Sequence, residues 1–213
     1  MLSLTQDPLN EVVFGGKTYR LDLAFDTVIQ YLKLSSDDEL SEEEKAVYAI
    51  ELFLDKEDLP SDPKFYELVF KAVNEEIISD PYGNNASSSN PFGLAPVKYF
   101  DYEQDAEAIF ASFMSEYHIN LLEQRGKMHW REFKALFNGL SENSYMQRII
   151  SIRQRDLSDV EDDKVRQQLT DAKNYYALDE PQNETVGQDQ ATQTSALSAM
   201  FKAMRGQTRE GGQ

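Results

Sequence analysis

Residues 100–155 read FDYEQDAEAIFASFMSEYHINLLEQRGKMHWREFKALFNGLSENSYMQRIISIRQR, and they hold the chain's single Trp (Trp130) and both of its His (His118, His129). Three helical patterns follow one another in this stretch. Ala106, Ile109, Phe110, Phe113 and Tyr117 fall on one stripe of an α-helix, with Asp101 and Gln104 as an expected N-terminal capping pair. Trp130, Phe133, Phe137 and Leu140 form a second stripe, with Leu136 beside it and Gly139 as the stop. Tyr145, Met146, Ile149, Ile150 and Arg153 form a third, with Ser141 as the expected cap. Helices this short with wide aromatic faces are not stable alone, so they must pack on one another.

The preceding residues add a hairpin and three more helices. Two β-prone runs, 12–14 and 18–21, flank Gly15-Gly16, and a two-residue primed turn needs the positive φ that glycine supplies. Phe25, Val28, Ile29 and Leu32 predict a helix over 23–34. Ser41 with Glu44 three residues on is a capping box for a helix burying Val47, Ile50, Phe53 and Leu54. Ser61 or Asp62, followed by Pro63, starts a third helix whose stripe is Phe65, Leu68, Val69, Ala72, Val73 and Ile77.

Residues 79–98 are rich in Asp, Pro, Gly, Asn and Ser and read as a linker. Beyond the opening stretch, Ser158 and Glu161 suggest one more capped helix, with the thin stripe Val165, Leu169, Ala172 and Tyr176 of a peripheral element. The expected fold is mainly α: a helical bundle in two packed groups, with a short N-terminal β-hairpin and a disordered C-terminal tail. The expected divisions are a hairpin-plus-three-helix lobe (1–78), a linker (79–98), an aromatic-rich helical lobe (99–176) and a flexible tail (177–213). Within that tail Leu197, Met200, Phe201 and Met204 share one helical face, the pattern of a segment that folds into a groove on a partner or on its own chain.

The chain has 213 residues, a formal net charge of −17 and no Cys. Disulfides, thiolate catalysis and cysteine-based metal sites are excluded. So acidic a surface repels phosphates, which argues against nucleic acid and anionic membranes as partners. The N-terminus shows neither the basic nor the apolar region of a signal peptide, and no apolar run is long enough to span a membrane.

The sequence offers little chemistry. Gly15-Gly16-Lys17-Thr18 ends like a phosphate-binding loop, but Glu11 stands where that loop needs its first glycine. His118 and His129, with Glu116 and Glu132 close in sequence, raise a two-His carboxylate metal site, yet packing and capping roles suit them better. The clusters at 37–39 and 42–44 lack the spacing of a calcium loop. Arg148, Arg153 and Arg155 share a helix with the Ile stripe and are expected to pair with the chain's own carboxylates. No catalytic, metal-binding or cofactor-binding residue is assigned, and no cofactor is expected.

One resemblance goes further. The acidic–aromatic run at 100–113, Tyr117-x-Ile119-x-Leu121, His129-Trp130-x-x-Phe133-x-x-Leu136, Gly139-Leu140 and the closing Ile149-Ile150-x-Ile152-Arg153 resemble a family of small proteins of long-tailed phages and prophages of Gram-positive bacteria. Genes of that family lie between those for the tail tube and the tape measure. The resemblance is best over 99–155, looser over 11–78, and stops near Tyr176. It marks Tyr117, His129, Trp130, Phe133, Ile149 and Arg153 as the motif core. Two positions depart from the pattern: His118-Ile119-Asn120 replaces Gly-Ile-Asp, and Arg131 replaces a second aromatic after His-Trp.

The resemblance implies a non-enzymatic tail assembly chaperone that keeps the tape-measure protein soluble. Its partners would be the tape-measure protein, the tail tube protein and further copies of itself. It would act in the host cytoplasm and be absent from the mature virion. Two other classes fit the composition: an acidic decoy for a basic host protein, and a hydrolase or metal enzyme centred on His118 and His129.

Overall fold

The computed structural model describes residues 2–55, 59–79 and 99–179. The segment 195–205, including Leu197, Met200, Phe201 and Met204, lies outside the described residues. Among those described, a two-stranded antiparallel sheet precedes seven α-helices, the mainly α architecture expected with its N-terminal hairpin. No described helix is long and apolar enough to cross a membrane.

The chain divides into two compact units. The described part of the first comprises residues 2–55, 59–79 and 125–133; that of the second comprises 99–124 and 134–179. The sequence reading groups residues 125–133 with the later helices, but the structure clusters them with the N-terminal elements.

In the first unit, strands β1 (Glu11–Phe14) and β2 (Lys17–Arg20) pair with Val12 opposite Tyr19 and Phe14 opposite Lys17. Gly15 and Gly16 turn the hairpin at φ 59° and 81°, values that side-chain-bearing residues seldom adopt. A lone hairpin is marginal in water. This one is anchored by Phe65, whose ring meets Phe14 at 5.6 Å and Tyr19 at 4.6 Å. Phe65 opens the first turn of α3 (Pro63–Ile78), and the Asp62 side chain caps that helix by accepting from Lys64 N–H at 3.0 Å.

Helices α1 (Phe25–Ser35) and α2 (Glu42–Phe53) precede α3. The Ser41–Glu44 capping box starts α2 as expected. Most of the expected apolar residues are buried, among them Phe25, Val28, Ile50, Phe53, Val69 and Val73, with exchanges at the edges of the faces. Thr27 and Tyr31 are buried in α1, with Tyr31 edge-on to Phe53 at 5.0 Å. In α2 the small Ala46 and Ala49 face inward while Val47 is 57 % exposed. In α3 Leu68 is exposed, and Phe70 and Glu76 are buried. A helical stripe wider than its interface leaves the register of the buried residues to the neighbouring surfaces.

The second unit holds α4 (Ala106–Tyr117), the end of α5 (Trp130–Asn138), α6 (Tyr145–Gln154) and α7 (Asp163–Tyr175). Ala106 is exposed, and Ala108 and Ser112 take its place in the core. Three expected caps move. Asp101 accepts from Glu103 and Gln104 N–H in a turn before α4, rather than capping the helix. Ser144, not Ser141, caps α6 by accepting from Gln147 N–H, while Ser141 binds the Glu116 carboxylate. Asp162, not Ser158, caps α7. Ser112 Oγ accepts from Met146 N–H at 2.9 Å, satisfying a helix-start donor within the core.

Phe65 is completely buried. Phe65→Ala should lower the unfolding free energy by about 3–5 kcal/mol and release the hairpin, whereas Leu68→Ala on the same helix should cost well under that. Urea denaturation checks the first effect, and amide exchange over residues 11–20 checks the second.

Candidate functional site

The motif residues fall into two polar clusters, one in each unit. The first is built around His129. Ala24 and His129 pair as an isolated antiparallel bridge. Phe25 N–H donates to the Met128 carbonyl at 3.0 Å, and Trp130 N–H donates to the Leu23 carbonyl at 2.8 Å. Phe25 and Trp130 are the first residues of α1 and α5. Each helix start therefore satisfies one of its orphan donors with a carbonyl from the chain leading into the other. Asp26 adds a side-chain acceptor for Gly126 N–H at 2.9 Å. Phe133 stacks on Phe25 at 4.9 Å and on Trp130 at 5.7 Å, and Trp130 and Phe133 are almost wholly buried.

The His129 ring has both nitrogens engaged. Nδ1 accepts from Arg131 N–H at 3.1 Å, and Nε2 lies 3.0 Å from the Leu9 carbonyl. Nδ1 must therefore be bare and Nε2 protonated, which defines the neutral Nε2–H tautomer. Burial lowers the imidazole pKa, against a smaller opposing influence from the Leu9 carbonyl and Glu132. His129 thus caps α5 and ties down the N-terminal chain.

Arg131 meets Glu76 of α3 in a buried ion pair. Burial, with the neighbouring Glu75 carboxylate, pushes the Glu76 carboxyl up to about 7. Burial also lowers the Arg131 guanidinium from its ordinary value. The sequence reading did not single out Glu76, a charged residue between Val73 and Ile77 on the buried face of α3.

A polar cleft of about 560 Å³ adjoins His129 and is lined by residues that include Arg20, Asp22, Glu51 and Glu132. Asp22 is already committed, accepting from Ala24 N–H at 3.0 Å and from the Thr27 hydroxyl at 3.0 Å. Among the described residues no group of three or more His, Asp or Glu side chains is placed to hold a metal.

The second cluster is built around Arg153. Its guanidinium makes a bidentate pair with Asp105, Nη1–Oδ2 at 2.6 Å and Nη2–Oδ1 at 2.8 Å, both side chains being buried. Nε donates to the Tyr176 carbonyl at 2.6 Å and Nη1 to the Tyr99 carbonyl at 3.0 Å. One side chain thus joins the residue before α4, the backbone at Tyr99 and the residue that ends α7. Ile149 packs beneath on the same helix face. The expectation that Arg153 pairs within the chain is met; the sequence reading did not name Asp105 as its partner.

The remaining motif residues also serve packing. The Tyr117 hydroxyl donates to the Leu136 carbonyl at 2.9 Å. A Cβ on Gly139 would stand 3.3 Å from that hydroxyl and 3.2 Å from the Ala135 carbonyl, so the approach favours glycine. His118 ends α4 in the left-handed conformation, φ 55°, which glycine adopts more readily than other residues. Gln104, unnoticed except as a capping partner, grips the chain after α7: Nε2 donates to the Ala177 carbonyl at 2.7 Å and Oε1 accepts from Asp179 N–H at 2.9 Å.

His129→Ala removes a helix cap and should cost about 1–2 kcal/mol, while His129→Asn, which can still cap, should recover part of the loss. Thermal denaturation of the pair checks this. Because the folded pKa lies below that of the unfolded chain, the neutral ring's contribution is complete above pH 6.5 and is lost as pH falls through the lowered value. Nitrogen-detected NMR should show the Nε2–H tautomer at neutral pH. For the second cluster, Asp105→Ala should destabilise by about 3–5 kcal/mol, since it strands a buried guanidinium. The double variant Asp105→Leu/Arg153→Met should be less harmful than the single one, as a double-mutant cycle would show.

No curated protein and no solved structure matches the chain significantly. A family model described as Bacteriophage Gp15 protein matches residues 5–178, spanning both units and every residue of the two clusters. The chain belongs to the bacteriophage Gp15 protein family.

Proposed function

We propose that this phage protein is a non-enzymatic tail assembly chaperone. It binds the tape-measure protein and holds it soluble while the tail tube polymerises around it. It acts in the cytoplasm of a Gram-positive host and is left out of the finished virion. The tail tube protein and further copies of the chain are its secondary partners.

The observation that carries this reading is how the polar motif residues are used. His129, Arg131, Glu76, Asp105 and Arg153 are each engaged in internal bonds of the fold. Side chains that in another protein would meet a substrate here meet one another or the backbone. The exterior then becomes the working part. In the first unit it offers Val47, Tyr48 and Leu68, and in the second Met114, Leu122 and Tyr145, all more than a third exposed. Exposed apolar residues shield a partner's apolar helices, and a formal net charge of −17 keeps the complex dissolved.

Co-expression with the tape-measure protein of the same phage tests the reading. The expected result is that the tape measure, insoluble by itself, becomes soluble and co-elutes with this chain in size-exclusion chromatography with light scattering. A tape measure that stays in the pellet, with this chain eluting alone, would overturn it, and capture of a basic host protein instead would favour the acidic decoy.

A further inference from the structure

Helices α1 and α2 leave a cleft of about 480 Å³ between them, floored by Leu34, Tyr48 and Leu52 and edged by Lys33, Asp37 and Glu51. Tyr48 keeps 44 % of its surface exposed there. We propose that this cleft receives residues 195–205 of the chain itself, SALSAMFKAMR.

Three observations select this occupant. The segment's pattern fits an apolar floor, because Leu197, Met200, Phe201 and Met204 fall within one narrow arc of a helix. Its charge also fits. Lys202 and Arg205 give it two cations and no anion, in a chain of net charge −17. On a helix both cations lie on the same flank of the apolar arc, and the other flank carries Ala196, Ala199 and Ala203. The segment can therefore bring its cations towards Asp37 while its alanine flank allows close approach to a helix.

The tether is the third. The last described residue, Asp179, is followed by residues 180–194, fifteen in all, before the segment starts. Fifteen residues span up to about 50 Å when extended. Tethering raises the segment's effective concentration at surfaces of its own chain above that of a free peptide, so the contact need not be strong. An eleven-residue helix is marginal alone and gains its order from the surface it meets.

The chain's lack of Cys makes the test direct. In the full-length protein, Ser198→Cys is combined either with Gln30→Cys at the rim of the cleft or with Thr18→Cys on the exposed hairpin of the same unit. Each pair is then treated with a short bis-maleimide. The expected yield for the Gln30 position is about ten-fold that for Thr18, as the local concentration of a docked segment requires. Phe201→Asp should abolish that preference, and Lys202→Glu/Arg205→Glu should reduce it in a salt-dependent manner. Mixing single-cysteine proteins should give cross-links within one chain in preference to cross-links between copies, and cross-linking only between copies overturns the proposal. Equal yields at the two positions, or a yield untouched by Phe201→Asp, overturns the proposal. The experiment uses the isolated chain, so its result is independent of tape-measure binding.

Discussion

Two backbone hydrogen bonds, from Phe25 to Met128 and from Trp130 to Leu23, hold the first unit in its present form. A helix start carries N–H groups with no partner inside the helix. Helices α1 and α5 resolve this mutually across more than a hundred residues of sequence. The cost is chain entropy, because a loop of that length must close before the contact forms. The return is a bridge around which the aromatic residues assemble: Phe25, Trp130 and Phe133 stack because both helix starts have been fixed. His129 adds to the same junction by capping α5 with one ring nitrogen and holding the Leu9 carbonyl with the other.

The second unit solves a related problem with a side chain. Arg153 is buried, and a buried cation is tolerated only when its donors are met. Asp105 supplies the charge, and the Tyr99 and Tyr176 carbonyls take further donors. Such a planar fork fixes direction as well as distance, which lysine could not do. Both units thus use long-range polar contacts to specify where helices begin and end, with aromatic packing filling the space between.

This division explains what the sequence disclosed. Helix existence was legible throughout, since periodicity reports a helix's own apolar face. The Ser41–Glu44 box and the Gly15-Gly16 turn were legible because their partners lie within a few residues. Ser141 and Ser158 were misread as caps because a serine ahead of a stripe looks the same whether it meets its own helix or a distant group; Ser141 meets Glu116. Val47 was misplaced and Ala49 overlooked for a similar reason, as the size of the facing surface decides which side of a broad stripe is buried. Residues 125–133 were assigned to their sequence neighbours because nothing local signals a bridge to residue 24. Arg153 stood out as a charge on an apolar stripe; its partner Asp105, set among other acids, did not.

Gln104 gives the second unit a defined edge. Its amide closes on the backbone at Ala177 and Asp179, and the family match ends at residue 178. The boundary of the family match and the last such side-chain grip among the described residues therefore lie within one residue of each other. In engineering terms Asp179 is a strain-relief collar: a reporter or affinity module spliced on beyond it would pull against the amide and the guanidinium, not against the helices they bracket.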